Sequence, residues 1–396
     1  MRLVHLSDLH LGYRQYQRLT PNGINQREWD VANTFRQAVD QVIALEPHVI
    51  VVAGDVFHVS RPSNTAILHA VRQMLRIRRA LPAAHIVLVA GNHDTPRTTE
   101  SGSIMGLFEQ LDINVAASEA RRFRLDALDL SILAVPDVPG ALPELRPDSG
   151  ARYNVLVMHA DVDDVVPRYY AELDRAAVRV SRSDLNTSSW SYVALGHYHV
   201  HRRVAENAFY SGSLDYTSLN VWFDKSEEEE LGLKGKGFIE FDLATGEHRF
   251  HALKASREFR DLRPIPARDL TPAEVDAAIA RSLEKVRGGI EDKVIRLVVK
   301  DVTRQVARDL NHRALREYKR RALHFHLDAR RPDLPRRDVA GGPSRRPSVN
   351  DVVREQLQGR AIPADLDRDR LVELGLRYLG EADAFPSPAV VADLDA

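Results

Sequence analysis

Cysteine is missing from all 396 residues, which removes disulfides and thiolate metal sites from consideration. Any metal would have to be held by His, Asp, Glu, Asn or backbone oxygens. Long apolar runs are missing too, and none approaches the roughly 18 residues that a membrane span needs. The chain opens MRLVHLSDLH, straight into a strand-like run with no charged-then-apolar signal segment. The expectation is a cytoplasmic protein with no membrane association. A charge excess of either sign is lacking as well: the formal net charge is −1. That value averages two unlike parts. Residues 1–255 hold 27 Lys+Arg against 32 Asp+Glu, a net of −5, and residues 256–396 hold 28 against 24, a net of +4. The first part thus lacks the bulk basic charge of a simple DNA-binding domain.

What is present is ample core material, with 44% hydrophobic and 28% charged residues, in a chain long enough for two or three domains. Residues 1–255 alternate strand-like and helix-like segments: strands at 3–6, 49–53 and 85–90, helices at 26–45 and 63–81. This β-α-β-α-β order predicts parallel strands with helices on their faces. Later segments at 130–135, 153–158, 192–195, 208–211, 237–242 and 248–254 are denser in strand and predict a mixed sheet or two packed sheets flanked by helices. The polar stretch 222–237, with glutamates at 227–230, reads as a solvated loop. A smaller α+β pattern follows: strands at 259–265, 294–299 and 323–327, helices at 271–286 and 306–321. Residues 330–347 read as a basic linker, with prolines and paired glycines but no apolar period. Short amphipathic helices are predicted at 349–358 and 367–380. The second is apolar around much of its girth and needs a surface to bury against.

The chemistry concentrates at strand ends. The runs lead directly into Asp8-x-His10, Gly54-Asp55, Gly91-Asn92-His93-Asp94, His159 and Gly196-His197-Tyr198-His199. Ligands of open α/β sheets gather just beyond the carboxyl ends of strands. Burying so many polar groups unpaired would cost several kcal/mol in total. Convergence on cations avoids that cost. Asp, Asn and imidazole without sulfur suit Mn, Fe or Zn.

This set resembles the calcineurin-like metallophosphoesterase family. The string AGDVFHVSRPS at 53–63 narrows the resemblance to the SbcD-type nuclease subunits of SbcCD double-strand-break repair complexes. The fold implied is a four-layer αββα sandwich over 1–255, a small α+β DNA-capping domain over 256–329, the basic linker over 330–347 and a helical ATPase-subunit-binding tail over 348–396. The resemblance implies that Asp8, His10 and His199 hold one divalent ion, that Asn92, His159 and His197 hold a second, and that Asp55 bridges them. Such a pair clamps a phosphodiester and acidifies a water. His93 resembles the catalytic histidine that stabilises or protonates the departing oxygen, with Asp94 placed to orient it. His58 resembles a histidine that positions DNA or phosphate, a structural role being the alternative. Tyr13, Arg14, Tyr16 and Arg61 would lie near DNA or, on the blander reading, in a packed loop and at a helix start. His201 reads as a surface or strand residue.

The function implied is a Mn²⁺-dependent DNA nuclease, a 3′→5′ exonuclease on duplex ends and an endonuclease on single strands or hairpins. It would be a homodimer working with an SbcC-type, SMC-like ATPase. The alternatives are a small-molecule phosphodiesterase and a non-catalytic scaffold of the same fold.

Overall fold

The computed structural model describes residues 1–96, 102–332, 349–359 and 367–384. The chain divides into two units, Met1–Pro332 and Asp333–Ala396. In the first unit the strands are β1 (Arg2–Leu6), β2 (Val49–Ala53), β3 (His85–Val89), β4 (Asn114–Ala116), β5 (Arg121–Leu125), β6 (Leu130–Val135), β7 (Tyr153–His159), β8 (Asp161–Val162), β9 (Arg179–Val180), β10 (Tyr192–Gly196), β11 (Arg202–Ala205), β12 (Ala208–Tyr210), β13 (Gly237–Asp242), β14 (His248–Ala252), β15 (Phe259–Pro266), β16 (Val294–Lys300) and β17 (His324–Ala329). The helices are α1 (Gln26–Leu45), α2 (Asn64–Ala80), α3 (Arg168–Leu173), α4 (Arg182–Leu185), α5 (Val221–Glu230), α6 (Pro272–Glu284), α7 (Arg304–Arg308) and α8 (His312–Arg321).

Two six-stranded sheets, ordered β14-β13-β1-β2-β3-β4 and β11-β12-β10-β7-β6-β5, carry the first 255 residues. Strand alternation sorts their apolar residues into three layers of core. Val49, Val51 and Ala53 of β2 and Val155 and Val157 of β7 meet between the sheets. Ile50 and Val52 face the other way, onto Phe35, Val39 and Val42 of α1 and Ala70, Met74 and Ile77 of α2. Leu156 and Met158 face outward onto Tyr170 of α3, Leu185 of α4 and Trp190. The result is the helix–sheet–sheet–helix sandwich expected, with its second helical layer thin. Both helices of the thicker layer start as the sequence indicates. Asn25 accepts from the amides of Arg27 and Glu28 at the start of α1, and Ser63 from that of Ala66 at the start of α2.

Residues 259–329 form a separate parallel sheet, β15-β16-β17, over a cluster that includes Val275, Ile279, Leu297 and Phe325. A buried seam joins it to the sandwich. Arg27 donates to Asp30, Asp215 and the Tyr216 carbonyl, and its guanidinium lies 5.1 Å from the Phe259 ring centre.

Two expectations fail here. The glutamates at 227–230 end α5 rather than filling a solvated loop. Asp224 and Glu228, one helical turn apart on its inner face, are buried against Lys236. The helix expected over 306–321 is broken into α7 and α8. The Asp276 carboxylate of α6 takes the Asn311 amide at 2.9 Å, a tertiary acceptor that competes with helical continuity.

The second unit contains α9 (Val349–Gly359) and α10 (Arg368–Ala384). They approach closely: a Cβ on Gly375 would come within 2.8 Å of Leu357 Cδ1. Arg368 donates to the carbonyls of Leu357 and Gln358 at the end of α9. Beyond Pro332 the expected linker lies outside the described residues. No helix among the described residues is long and apolar enough to cross a membrane.

Candidate metal centre

Register brings the polar strand ends to one edge. Leu6 pairs with Val52, Ala53 with Val89 and Gly196 with His159. Beyond the strands, the Asp8 amide donates to Gly54 O at 3.0 Å and the His10 amide to Asp55 O at 2.9 Å. Gly54 has φ 93°, and a Cβ there would sit 2.1 Å from His159 Nδ1. A Cβ on Gly91 would sit 2.1 Å from Asp55 Oδ1. The glycines preceding the candidate ligands therefore let two sheets close on one point.

Four candidate ligands themselves adopt left-handed backbone: Asp8 (φ 53°), His10 (φ 46°), Asp55 (φ 52°) and His197 (φ 100°). Each such residue costs about 1–3 kcal/mol. Left-handed residues also occur at turns and helix ends elsewhere in the chain, Asp112, Asp129 and Asn186 among them, but among the described residues only here do four of them surround one buried cluster of polar side chains.

The donor atoms fall into two neighbouring sets. In one, His10 Nε2 and His199 Nε2 are 2.8 Å apart, with Asp8 close enough that all three offer atoms within 4.8 Å of one another. In the other, His159 Nε2 lies 2.9 Å from Asn92 Oδ1, while His159 Nδ1 donates to the Ala53 carbonyl at 2.9 Å. A neutral imidazole carries one proton. With it on Nδ1, the Nε2 lone pair of His159 points at the Asn92 oxygen. Asp55 Oδ2 lies between the sets, 3.6 Å from His10 Nε2 and 3.5 Å from His159 Nε2. It is buried and has no hydrogen-bond partner in the protein. The Nε2 lone pair of His159 facing the Asn92 oxygen with no proton between them, beside the unpartnered Asp55 Oδ2, fits a cation.

His197 contributes differently. Its Nε2 donates to the Asp174 carbonyl at 3.1 Å and lies 3.3 Å from Asp161 Oδ1. The buried Nδ1 is left without a partner in the protein and available to an ion. Burial holds His10, His159 and His199 well below the ordinary imidazole range, reinforced by His199 beside His10, His197 beside His159 and Lys236 beside His199. Burial pushes Asp8 up to about 6, against the Ser7 hydrogen bond. It also pushes Asp55 well above the carboxylate range, with Asp94 and Asp8 adding repulsion. His197 differs: burial would lower it, but the Asp161 carboxylate beside Nε2 outweighs burial and lifts it to about 9. Neutral His10, His159 and His199 beside crowded carboxylates are an electrostatic state that divalent cations relieve.

His93 stands at the rim. Its Nδ1 donates to the His58 carbonyl at 2.7 Å, and its ring lies 4.9 Å from His10 and 5.1 Å from His58. Asp94 does not orient it, contrary to expectation. The Asp94 carboxylate is used up by the amides of Val56, Phe57 and Gly91, and so fastens the Asp55 loop instead. The carboxylate facing His93 is Asp174, whose Oδ2 is 3.5 Å from His93 Nε2. Burial would lower His93, but the Asp174 hydrogen bond and the Asp55 charge outweigh it and lift it to about 10. Asp174 escapes a sequence reading because it follows a short helix and lies 82 residues from its partner Asn92.

The remaining candidates divide. Tyr13 is buried, its ring 4.9 Å from that of His58. Arg14 pairs with Glu28 at 2.7 Å. Tyr16 stacks on His324 of β17 at 4.0 Å, in the seam to the third sheet. Arg61 is exposed beside the start of α2. His58 Nδ1 lies 3.3 Å from His10 Nδ1, against the candidate ligands. His201 stacks on Phe250 at 4.4 Å, outside the cluster.

Comparison with known proteins bears on the family of the chain. The family model for calcineurin-like phosphoesterases matches residues 1–201. A "DNA double-strand break repair protein Mre11" of Sulfolobus acidocaldarius is 30% identical over 213 residues, covering 51% of this chain and 50% of that protein. Its namesake in Methanococcus maripaludis is 27% identical over 262 residues, 62% of this chain and 63% of the relative. The match thus spans half of the first relative's length and under two thirds of the second's. Since that family model matches from the first residue to His201, half of the chain, the chain belongs to the calcineurin-like phosphoesterase family.

Proposed function

We propose that the chain is a two-metal DNA nuclease of double-strand-break repair, hydrolysing phosphodiester bonds with Mn²⁺. The observation that carries this reading is the single Asp55 oxygen facing both imidazole sets, at 3.6 and 3.5 Å. Asp8, His10 and His199 would hold one ion, Asn92, His159 and His197 the other, and Asp55 would serve both. When bound, such a pair supplies Lewis acidity to the phosphodiester and acidifies water. The protein's own groups do the rest. His93, anchored through Nδ1, presents Nε2 toward the site, where it can give a proton to the departing oxygen. His58 backs the His10 ring.

The DNA substrate is supported by the relatives' names. By resemblance, cleavage is 3′→5′ exonucleolytic on duplexes and endonucleolytic on single strands or hairpins. Residues 1–255 form the nuclease domain, 256–329 a DNA cap, 330–347 a linker and 348–396 the tail that engages an SbcC-type ATPase. Exposed Leu374 and Tyr378 on α10 suit such a partner, and exposed Trp29 and Leu68 on α1 and α2 suit a homodimer. Arg14 and Arg61 are the exposed candidates for phosphate contact.

The test is purified protein on linear duplex DNA and on a chromogenic phosphodiester, with Mn²⁺ or EDTA. Mn²⁺-dependent cleavage that favours DNA is expected. Cleavage that persists in EDTA, or none with any divalent metal, overturns the reading.

A further inference from the structure

Asp174 touches three residues of the centre at once. Its Oδ1 accepts from Asn92 Nδ2 at 3.0 Å, its Oδ2 faces His93 Nε2 at 3.5 Å, and its main-chain carbonyl accepts from His197 Nε2 at 3.1 Å. The consequence for Asn92 is specific. A carboxamide presents oxygen on one side and N–H on the other, and the two differ little in shape. A cation takes only the oxygen. The carboxylate of Asp174 accepts and cannot donate when ionised, so it fixes the Asn92 N–H outward and turns Oδ1 toward His159. At His197 the same residue's carbonyl requires the proton on Nε2, which leaves Nδ1 for an ion. Asp174 thus sets the ligating atom of Asn92, and shares with Asp161, 3.3 Å from the same nitrogen, in setting that of His197.

The position of Asp174 is itself secured. The buried Asp137 carboxylate accepts the amides of Ala177 at 3.1 Å and Val178 at 2.6 Å. Tyr170 on α3 donates to the His197 carbonyl at 3.1 Å. Asp8 takes its hydrogen bonds from Ser7 and the His197 amide, and His10 and His199 face each other. The other set thus takes no hydrogen bond from Asp174, and it meets His197 only through that residue's main-chain amide.

We propose that Asp174 is a positioning residue that selects the oxygen face of Asn92, so that filling of the Asn92–His159–His197 site depends on it while the Asp8–His10–His199 site does not. This rests on the two-metal reading above. The test is calorimetric titration of the full, EDTA-stripped chain with Mn²⁺, comparing wild type, Asp174→Ala and Asp174→Asn. Wild type is expected to bind two ions. Asp174→Ala should retain the tighter or first-filled site and weaken the other by roughly 10–100-fold, the usual cost of removing a partner that orients a ligand. Asp174→Asn loses the charge but keeps an acceptor oxygen for Asn92, so it should bind the second ion much more tightly than Asp174→Ala. Equal affinities in wild type and Asp174→Ala overturn the proposal. So does equal weakening of both sites, or an Asn variant as weak as the Ala variant, which would assign the effect to charge. Fewer than two ions on the wild type overturns the two-metal reading itself, a result distinct from all of these.

Discussion

Asp55 sits in left-handed backbone behind Gly54, with one oxygen shared between two sets of imidazoles. On the two-metal reading, Asp55→Ala should lose both ions together, His10→Ala should weaken mainly one, and His93→Leu should keep both while losing most turnover. Metal content by mass spectrometry after dialysis, read beside the nuclease rate, checks all three; a full metal complement on Asp55→Ala sinks the bridging role. A second residue-scale prediction concerns His5, fully buried in β1 with Nδ1 2.9 Å from the Tyr192 hydroxyl and no partner for Nε2. Burial, with His201 adding repulsion, pushes it down from 6.5 to about 3. The unfolded chain takes up this proton as pH falls through 6.5, and the folded chain resists until about 3. Its contribution is therefore whole above 6.5 and is lost on acidification, at about 1.4 kcal/mol per pH unit. His5→Gln should flatten urea-denaturation stability by roughly that slope between about pH 6 and 5; an unchanged slope rejects the assignment. The candidate ligands were legible in the sequence because each follows an apolar run ending at the same sheet edge. Asp174 was not, since its partners lie far along the chain, and Asp94 was misassigned because backbone amides, invisible to a side-chain motif, claim its oxygens.

At the scale of elements, helix α5 shows how composition misleads. Four successive glutamates suggest solvent, yet helical spacing turns Glu228 inward beneath Asp224 while Glu229 and Glu230 stay exposed. Lys236 answers them, its Nζ 2.8 Å from Asp224 and 3.1 Å from Glu228, and it donates to the His199 carbonyl at 2.8 Å. Tyr216 donates to the other Glu228 oxygen at 2.7 Å. Truncating one member of such a buried group leaves uncompensated charge, so Lys236→Met should cost about 3–5 kcal/mol in chemical denaturation. A loss under about 1 kcal/mol, the range of an exposed pair, would mean that the cluster is hydrated. The strands and the two large helices were readable because periodicity and capping residues are local properties. The break between α7 and α8 was not, because the Asp276 acceptor belongs to another helix.

For the whole molecule, the centre is a place where folding opposes itself unless cations arrive. Asp8, Asp55 and Asp94 are each pushed up by burial, and four candidate ligands carry backbone strain. The layered architecture was foreseeable from the alternation of strands and helices, and so was the edge on which the ligands gather. The closeness of the two donor sets was legible only through the family resemblance and not from the strand pattern, because it depends on the packing of one sheet against the other. Since the unfolded chain does not hold those ligands together, metal binding should be strongly linked to folding. At a free concentration 100 times Kd, each site adds about 2.7 kcal/mol to stability. Two sites then give about 5 kcal/mol, and at roughly 2–4 °C per kcal/mol for a domain of this size the melting temperature should rise by roughly 10–20 °C. Mn²⁺ added to the EDTA-stripped chain should produce that shift, EDTA should reverse it, and Asp55→Ala should abolish it. His93→Leu should show the wild-type shift, because on this reading its imidazole serves the reaction and not the ions. A melting temperature indifferent to divalent metal would mean that the converging lone pairs are met by protons, and the strand-end cluster would then be structural.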